Sequence, residues 1–211
     1  LQDAAPSVVC YPNQTPQTYE SLVQLVSAAL PCDVPYILIA ESFSGPIAIQ
    51  AAALARLRPH ALILCASFAT CPLGPILGMV ARLGSRLLFQ VRPPEWFIRR
   101  YLVGEDAPKK LIEDFYRALG AVSVPVLEAR LDSILQVNVL RDLAALSVPV
   151  LYIRGSQDRL VKAESLRIIQ NFCPGVQIET VNAPHLILQR APERCVELIR
   201  RFLLKKFAIA S

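Results

Sequence analysis

The stretch ILIAESFSGPIAI, residues 37–49, decides the fold expected for this chain. It joins a fully apolar run, residues 36–40, to a helical segment through the short turn 41–45. An apolar strand that lies between helices is typical of a parallel sheet covered on both faces. The turn places Ser42 just past the carboxyl end of the strand, which is where ligand sites of such sheets lie.

Apolar strands and helices alternate on both sides of this stretch. Periodicity predicts strands at residues 7–12, 36–40, 61–68, 148–155 and 176–181. It predicts helices after Thr15-Pro16, at 44–57, at 163–172 and from Pro192, the last with an apolar face of Val196, Ile199, Leu203 and Phe207. The predicted class is therefore α/β, a mostly parallel sheet flanked by helices, in one domain over residues 1–211.

Residues 69–142 interrupt the alternation with amphipathic segments at 77–89 and 109–119. We predict that they form a cap insertion over the top of the sheet. Residues 61–81 carry no charge and would be long enough to cross a bilayer. Prolines and glycines after residue 71 instead favour a strand followed by an apolar loop and helix.

Composition narrows the function classes. Of 211 residues, 54% are hydrophobic and 18% charged, which excludes a disordered chain. The net charge of +5 forms no nucleic-acid-binding stripe, so we expect no nucleic-acid partner. The six cysteines lack CxxC or zinc spacing, Cys10 and Cys65 lie in apolar runs, and residues 1–7 do not begin a signal peptide. These features favour a reduced, cytoplasmic setting, and no metal or redox cofactor is implied.

The turn after the second predicted strand has the context of a nucleophile elbow. Such a tight turn requires small residues two positions before and after the nucleophile, and Ala40 and Ser44 meet that requirement for Ser42. If Ser44 were the nucleophile, Pro46 would lie two positions after it, so Ser42 is preferred. With Ser42 at the centre of the turn, the backbone N–H of Phe43 would face a developing oxyanion. A serine-rich helix cap is the alternative interpretation.

Two further residues follow other strands at the same edge. His185 comes after the strand predicted at 176–181, whereas His60 precedes a strand and lies at the opposite edge. Asp158 follows the strand predicted at 148–155, where a simple turn or cap residue is the alternative. Serine, aspartate and histidine, each just past a different strand, favour nucleophilic catalysis.

The segments ILIAESFSGPIAI, LYIRGSQDRLV and VNAPHLILQRAPE resemble the α/β-hydrolase superfamily, and the resemblance covers nearly the whole chain. It implies that Ser42 is the nucleophile, Asp158 the acid and His185 the base, under a cap domain. The sequence departs from the common pattern at Ala40, Ser44 and Pro184, where glycines are usual.

The resemblance also implies a departure at the N-terminus. Residues 7–12 resemble the strand that precedes the helix leading to the elbow, and the earlier strands have no counterpart. One of those strands normally leads to a loop that gives the second oxyanion donor, for which residues 13–15 or a water are candidates here. An exposed sheet edge would result, and it could pair with another copy of the chain as a homodimer.

The function expected is a carboxylesterase that forms an acyl-enzyme on Ser42. Apolar insertion residues favour small esters of apolar acyl groups: Leu73, Ile76, Leu77, Met79, Leu87, Leu88, Phe89, Trp96 and Phe97. Basic residues beside them favour a weak contact with a lipid interface: Arg82, Arg86, Arg92, Arg99 and Arg100. The alternatives are a catalytically weak or non-catalytic protein of the same fold that lacks the usual oxyanion loop, or a thioesterase or acyltransferase.

Overall fold

A computed structural model of the chain describes residues 5–73 and 91–207. Within that part, four parallel strands lie side by side in sequence order: β1 (Ile37–Glu41), β2 (Ala61–Cys65), β3 (Val150–Gly155) and β4 (Gln177–Val181). The register pairs Glu41 with Cys65 and Gly155 with Val181, so neighbouring strands end level with one another. The predicted parallel α/β architecture is confirmed.

Helices connect and cover these strands. They are α1 (Tyr19–Ala29), α2 (Ser44–Leu54), α3 (Glu95–Ile98), α4 (Lys109–Gly120), α5 (Val124–Gln136), α6 (Leu140–Ala144), α7 (Ala163–Phe172), α8 (Ile187–Arg190) and α9 (Pro192–Phe207). A π-helical turn, Arg99–Val103, continues α3. Side chains of α1, α2, α6 and α7 pack on one face of the sheet, and those of α9 pack on the other.

Successive side chains of a strand point to opposite faces of the sheet and so contribute to the hydrophobic cores on both faces. Leu62 and Leu64 contribute to the core under α1 and α2, whereas Ile63 and Cys65 contribute to the core under α9. All four are fully buried, which explains why β2 carries no polar residue. Each buried aliphatic side chain of this size stabilises the fold by about 1.5–3 kcal/mol.

The strand predicted at residues 7–12 is wrong. These residues have no strand structure, and Val8 and Cys10 are exposed although they lie in an apolar run. No described strand runs beside them, and an extended segment without a neighbour has no ladder of hydrogen bonds. The segment is held instead through Tyr11, whose hydroxyl donates to Ser44 Oγ at 3.0 Å.

Two helix predictions also need correction. Helix α1 begins at Tyr19, because the hydroxyl of Thr18 accepts the Ser21 N–H at 3.2 Å and caps it; Thr15-Pro16 lies outside the helix. Helix α9 begins at Pro192 as predicted, but its apolar face is turned. The buried residues of α9 are Cys195, Leu198, Ile199 and Phe202. Val196 and Phe207 are about 40% exposed.

The residues that follow β2 lie beside those that precede α6. The Val139 N–H donates to the Ala69 carbonyl at 2.9 Å, and Thr70 and Asn138 form an antiparallel bridge. The helix predicted at 77–89 lies outside the described residues, whereas the one predicted at 109–119 is α4. No helix in the described ranges has the length and apolarity needed to cross a membrane.

Strand β1 forms one edge of the described sheet. Its Ile39 is 44% exposed, although its register partner Ile63 on β2 is fully buried. An edge strand presents unpaired backbone N–H and C=O groups to which another strand can add, and an exposed apolar side chain favours that contact. Pairing of this edge with a second copy of the chain stays a prediction.

Candidate active site

Ser42 occupies a sharp turn between β1 and α2. Its φ is +52°, a left-handed conformation that costs a non-glycine residue on the order of 1–3 kcal/mol. The Ser42 N–H donates to the Cys65 carbonyl of β2 at 2.9 Å, and its own carbonyl accepts the Gly45 N–H at 3.0 Å. The sheet and the start of α2 therefore hold the strained turn in place, and the sequence context of an elbow has a matching backbone shape.

Two buried polar side chains support this turn from below. The Ser67 hydroxyl donates to the Ser42 carbonyl at 2.8 Å. The Tyr152 hydroxyl donates to the Ser67 carbonyl at 2.7 Å and accepts the Ser67 N–H at 3.1 Å. Burial raises the pKa of Tyr152, which keeps its hydroxyl protonated as this arrangement requires. Sequence patterns gave no sign of either residue's role, because both lie in runs that look like ordinary strands.

The structure brings the three sequence-predicted side chains into one hydrogen-bonded row. His185 Nε2 lies 2.8 Å from Ser42 Oγ, and His185 Nδ1 lies 2.9 Å from Asp158 Oδ2. The other oxygen of Asp158, Oδ1, accepts the backbone N–H groups of Leu160 and Val161 at 2.8 and 3.0 Å. The side chains of His185 and Asp158 are 2% and 5% exposed, whereas Ser42 is partly exposed.

These contacts assign the proton positions. An ionised Asp158 can only accept hydrogen bonds, so His185 Nδ1 carries the hydrogen between them. In a neutral imidazole, Nε2 is then left with a lone pair that accepts the hydroxyl proton of Ser42. The arrangement can therefore withdraw a proton from Ser42 as its oxygen attacks an electrophile.

The loops that carry Asp158 and His185 are packed directly together. A Cβ atom at Gly155, the last residue of β3, would lie 2.4 Å from the Ala183 carbonyl oxygen and 2.5 Å from that of Pro184. The Gln157 N–H also donates to the Ala183 carbonyl at 3.1 Å. Only glycine permits this approach, which brings the aspartate loop against the histidine loop.

His60, as expected, lies at the opposite edge of the sheet. Its backbone N–H donates to the carbonyl of Tyr36, the residue before β1, and its ring centroid lies 5.5 Å from that of Phe207. It makes no contact with the row of three side chains. Its surroundings are those of a structural histidine.

Phe43 caps α2 directly after Ser42. Its ring stacks on Tyr19 with centroids 4.8 Å apart, and the edge of Tyr11 approaches at 6.2 Å. Among the described residues no carbonyl pairs with the Phe43 N–H, which leaves that donor available at a helix start. Its role in binding an oxyanion stays a prediction.

The segment suggested as a second oxyanion donor, residues 13–15, contacts the residues around the start of α5, and its donor role stays a prediction. The Asn13 carbonyl accepts the Ser123 N–H at 2.8 Å, and Gln14 Nε2 donates to the Ala121 carbonyl at 3.0 Å. In residues 5–73 and 91–207, no hydrogen bond joins residues 13–15 to Ser42. These contacts attach the segment to the residues before α5.

Glu41, which sequence reasoning did not assign, contacts the histidine loop. Its Oε1 accepts the Leu188 N–H and its Oε2 accepts Gln189 Nε2, both at 3.0 Å. Burial raises the pKa of the Glu41 carboxyl, and these hydrogen bonds together with the charge of His185 oppose that shift. A single acidic residue at the end of an apolar strand, next to the predicted nucleophile, was the signal available in the sequence.

The apolar and basic residues expected near the site are only partly described. Ile76, Leu77, Met79, Leu87, Leu88, Phe89, Arg82 and Arg86 lie outside the described residues. Leu73 and Phe97 are partly exposed, and Trp96 is 64% exposed. Arg99 pairs with Glu95, Arg92 stacks over the Tyr116 ring, and Arg100 is exposed. The described ranges contain no cluster of His, Cys, Asp and Glu that could hold a metal ion.

Comparison with known proteins agrees with the fold. A model of the Alpha/beta hydrolase family matches residues 5–198. No curated protein matches the chain in sequence. A thermophilic esterase from Thermogutta terrifontis, solved with malate bound, is 23% identical with a TM-score of 0.74 over 90% of this chain and 74% of that one.

Two other solved structures are similar. MenH from S. aureus is 16% identical with a TM-score of 0.69, over 89% of this chain and 76% of that chain. A bromoperoxidase from Bacillus anthracis is 13% identical with a TM-score of 0.74, over 88% of this chain and 74% of that chain. At these identities the likeness shows the shared fold and does not select one reaction.

Proposed function

The chain belongs to the alpha/beta hydrolase family, and we propose that it is a serine hydrolase that cleaves carboxylic esters of apolar acyl groups. The observation that carries this proposal is the hydrogen-bonded row Asp158–His185–Ser42, with distances of 2.9 and 2.8 Å. The histidine and aspartate side chains are buried, the row lies at the carboxyl edge of the sheet, and its serine lies on a strained elbow. This combination suits acyl transfer through a covalent intermediate.

In the proposed reaction, Ser42 Oγ attacks the ester carbonyl carbon while its proton passes to His185 Nε2. The tetrahedral intermediate collapses, the alkoxide leaves as an alcohol with the proton from His185, and the acyl group stays on Ser42. Water then attacks the acyl-enzyme, with His185 again accepting a proton. The second tetrahedral intermediate collapses as His185 returns that proton to Ser42 Oγ, and the carboxylic acid is released. Asp158 keeps the imidazole oriented and stabilises its cationic form.

The Phe43 N–H is the proposed donor to the oxyanion. Hydrogen bonds of this kind strengthen as charge develops on the carbonyl oxygen, and the loss of one donor costs about 10²–10³ in turnover. The second donor is unassigned. With the Phe43 N–H alone, turnover on activated esters would fall below that of a two-donor enzyme by about this factor.

The preference for apolar acyl groups is argued from the surroundings of His185. Leu186, the next residue, packs against a buried apolar cluster formed by Ile98, Val103, Ala107 and Ile112 of the insertion. The Leu186 N–H also donates to the Leu102 carbonyl of the π-helical turn at 2.9 Å. Apolar residues thus border the histidine on the insertion side, which favours an apolar acyl chain there.

A fluorophosphonate probe tests this proposal directly, because it phosphonylates an activated serine. We expect wild type to be labelled and Ser42→Ala to show no labelling. Ser44→Ala is the matched control: it lies in the same turn, and its loss removes only the hydroxyl that accepts from Tyr11. Well-folded wild type that resists the probe would leave the non-catalytic alternative in place.

Acyl preference is tested on p-nitrophenyl esters of increasing chain length, compared with acyl-thioesters of the same acyl groups. Faster turnover of the thioesters would favour the thioesterase alternative. Product formed with an added alcohol acceptor in preference to water would favour the acyltransferase alternative.

Predictions on partners and location accompany this function. Exposed Trp96 and Arg100 would contact a lipid interface, and co-sedimentation with anionic vesicles tests that contact. The exposed edge of β1 would pair two copies of the chain, and light scattering tests that pairing. The cytoplasmic location stays a prediction from cysteine usage.

A further inference from the structure

We propose that Glu41 is a positioning residue that aligns the His185 loop with Ser42, an inference that rests on the proposed hydrolase function. Glu41 is the last residue of β1 and immediately precedes Ser42. Through hydrogen bonds of 3.0 Å, its two carboxylate oxygens bind Leu188 and Gln189. One side chain thus joins the residue next to Ser42 to the first turn after His185.

The contact uses both oxygens of a carboxylate that is largely withdrawn from water. Leu188 contributes a backbone N–H at the start of α8, so the carboxylate fixes the main chain of the loop. Gln189 contributes a side-chain amide to the other oxygen. A carboxylate with two N–H partners is held in one orientation, and charge-assisted hydrogen bonds of this kind are stronger than neutral ones.

The electrostatic surroundings of Glu41 single out His185. The titratable groups that face its carboxyl are His185, Cys65 on β2 and Cys195 on α9. Burial raises the pKa of both thiols, that of Cys195 to about 11, so neither is charged near neutral pH. His185 is therefore the facing group whose charge changes during the proposed reaction, and an imidazolium there attracts the Glu41 carboxylate.

The insertion holds the same loop from its other side. Leu186 is bound to Leu102 of the π-helical turn, and Arg190 pairs with Asp106 at 2.8 Å. Asp106 is 82% exposed, and surface pairs of this kind contribute little. Asp106 therefore provides a matched control. Like Glu41 it is a carboxylate that contacts α8, but unlike Glu41 it is not adjacent to Ser42 in the sequence.

The test compares Glu41→Ala, Glu41→Gln and Asp106→Asn with wild type. A displacement of about 1 Å at a reacting group costs about 10²-fold, so we expect kcat for a p-nitrophenyl ester and the rate of fluorophosphonate labelling to fall about 10–100-fold in Glu41→Ala. KM should stay within about 3-fold, because both carboxylate oxygens of Glu41 are bound to the histidine loop and a positioning residue changes kcat rather than uniform binding. Glu41→Gln keeps one acceptor oxygen, so its kcat and labelling rate should lie between those of wild type and Glu41→Ala. Rates for the Glu41 variants equal to those of Asp106→Asn would overturn the proposal.

The ratio of wild-type to Glu41→Gln labelling rates should also depend on pH. Protonation of the Glu41 carboxyl gives it the neutral form that glutamine mimics, so the ratio should fall as pH is lowered from about 8 to about 5. Ionisable groups that the two proteins share largely cancel in the ratio. Because the folded-state pKa is raised, this group's contribution to folding stability becomes more favourable as pH falls. A ratio that stays constant, or falls only as the protein unfolds, contradicts the positioning role.

A spectroscopic readout separates this inference from the proposed function. The chain has two histidines, so ¹⁵N-histidine spectra of a His60→Gln background report His185 alone. We expect the Nδ1–H signal of His185 to shift or broaden in Glu41→Ala and to stay unchanged in Asp106→Asn. Wild type that resists the probe, with the signal shifted only in Glu41→Ala, refutes the hydrolase function and retains the positioning contact. An unchanged signal in every variant refutes the positioning contact even where wild type is labelled.

Discussion

Gly45, in the first turn of α2, is the position at which a single methyl group should disturb the elbow most directly. A Cβ atom there would lie 1.7 Å from Ser67 Oγ and 2.7 Å from Ser67 Cβ. Ser67 is fully buried, and its hydroxyl holds the Ser42 carbonyl at 2.8 Å. The serine can yield only by breaking that hydrogen bond or by moving its backbone, so Gly45→Ala changes both packing and polar contacts.

The expected change in the free energy of unfolding has two destabilising contributions and one stabilising contribution. Overpacking a buried site costs about 1–3 kcal/mol. Loss of the Ser67–Ser42 hydrogen bond costs about 1 kcal/mol. Alanine is favoured over glycine within a helix by about 1 kcal/mol, which opposes these losses. We therefore expect Gly45→Ala to lower the free energy of unfolding by about 1–3 kcal/mol, and displacement of Ser42 to slow fluorophosphonate labelling.

Urea unfolding and the labelling rate are the assays, with Gly120→Ala as the matched control. A Cβ at Gly120, the last residue of α4, meets nothing within 4 Å, so this variant should be as stable as wild type or slightly more stable. Adding Ser67→Gly to Gly45→Ala removes both clashing atoms, so the double variant should lose less stability than the two single variants summed. The reasoning would be refuted if Gly45→Ala had the same urea midpoint as Gly120→Ala and were labelled at the wild-type rate.

Two further substitutions test other supports of the site. Gly155→Ala should destabilise the fold by about 3 kcal/mol or more and abolish labelling, because its Cβ would meet backbone oxygens of Ala183 and Pro184 that cannot rotate away; a near-normal urea midpoint would contradict this. Tyr152→Phe should cost about 1–3 kcal/mol in urea unfolding, because it leaves the buried N–H and carbonyl of Ser67 without their partner hydroxyl. An unchanged midpoint there would mean that the hydroxyl is dispensable.

The approximate placement of Ser42, Asp158 and His185 could be predicted from sequence because it follows from the positions of the strands. Parallel strands in register end at one edge, so residues just past three strand ends must lie near one another. Strand lengths were less predictable. The run 61–68 looks like one strand, but β2 ends at Cys65, because Ala66 adopts a φ of +45° and Ser67 turns beneath the elbow. Hydropathy carries no record of that tertiary contact.

The other errors have a similar origin. Residues 7–12 have the composition of a strand, but strand structure requires a neighbour, which composition cannot supply. Helix α9 carries apolar residues around much of its circumference, so the pattern allowed more than one buried face. The position of β3 and β4 beneath the helix selects Leu198 and Phe202 over Val196 and Phe207. Sequence periodicity therefore locates elements more reliably than it orients them.

The alignment of the candidate site follows from contacts between neighbouring strand ends. Ser42 and His185 are 143 residues apart, yet each is bound through the backbone to the adjacent structure: Ser42 to Cys65 of β2, and the loop of His185 to the loop that follows β3. Glu41 adds a direct connection across the sheet, from β1 to α8. Because these contacts lie in the sheet and its edge loops, substitutions there should change the chemical step. Substitutions of insertion residues that do not contact α8 or the loop before it should instead change substrate preference.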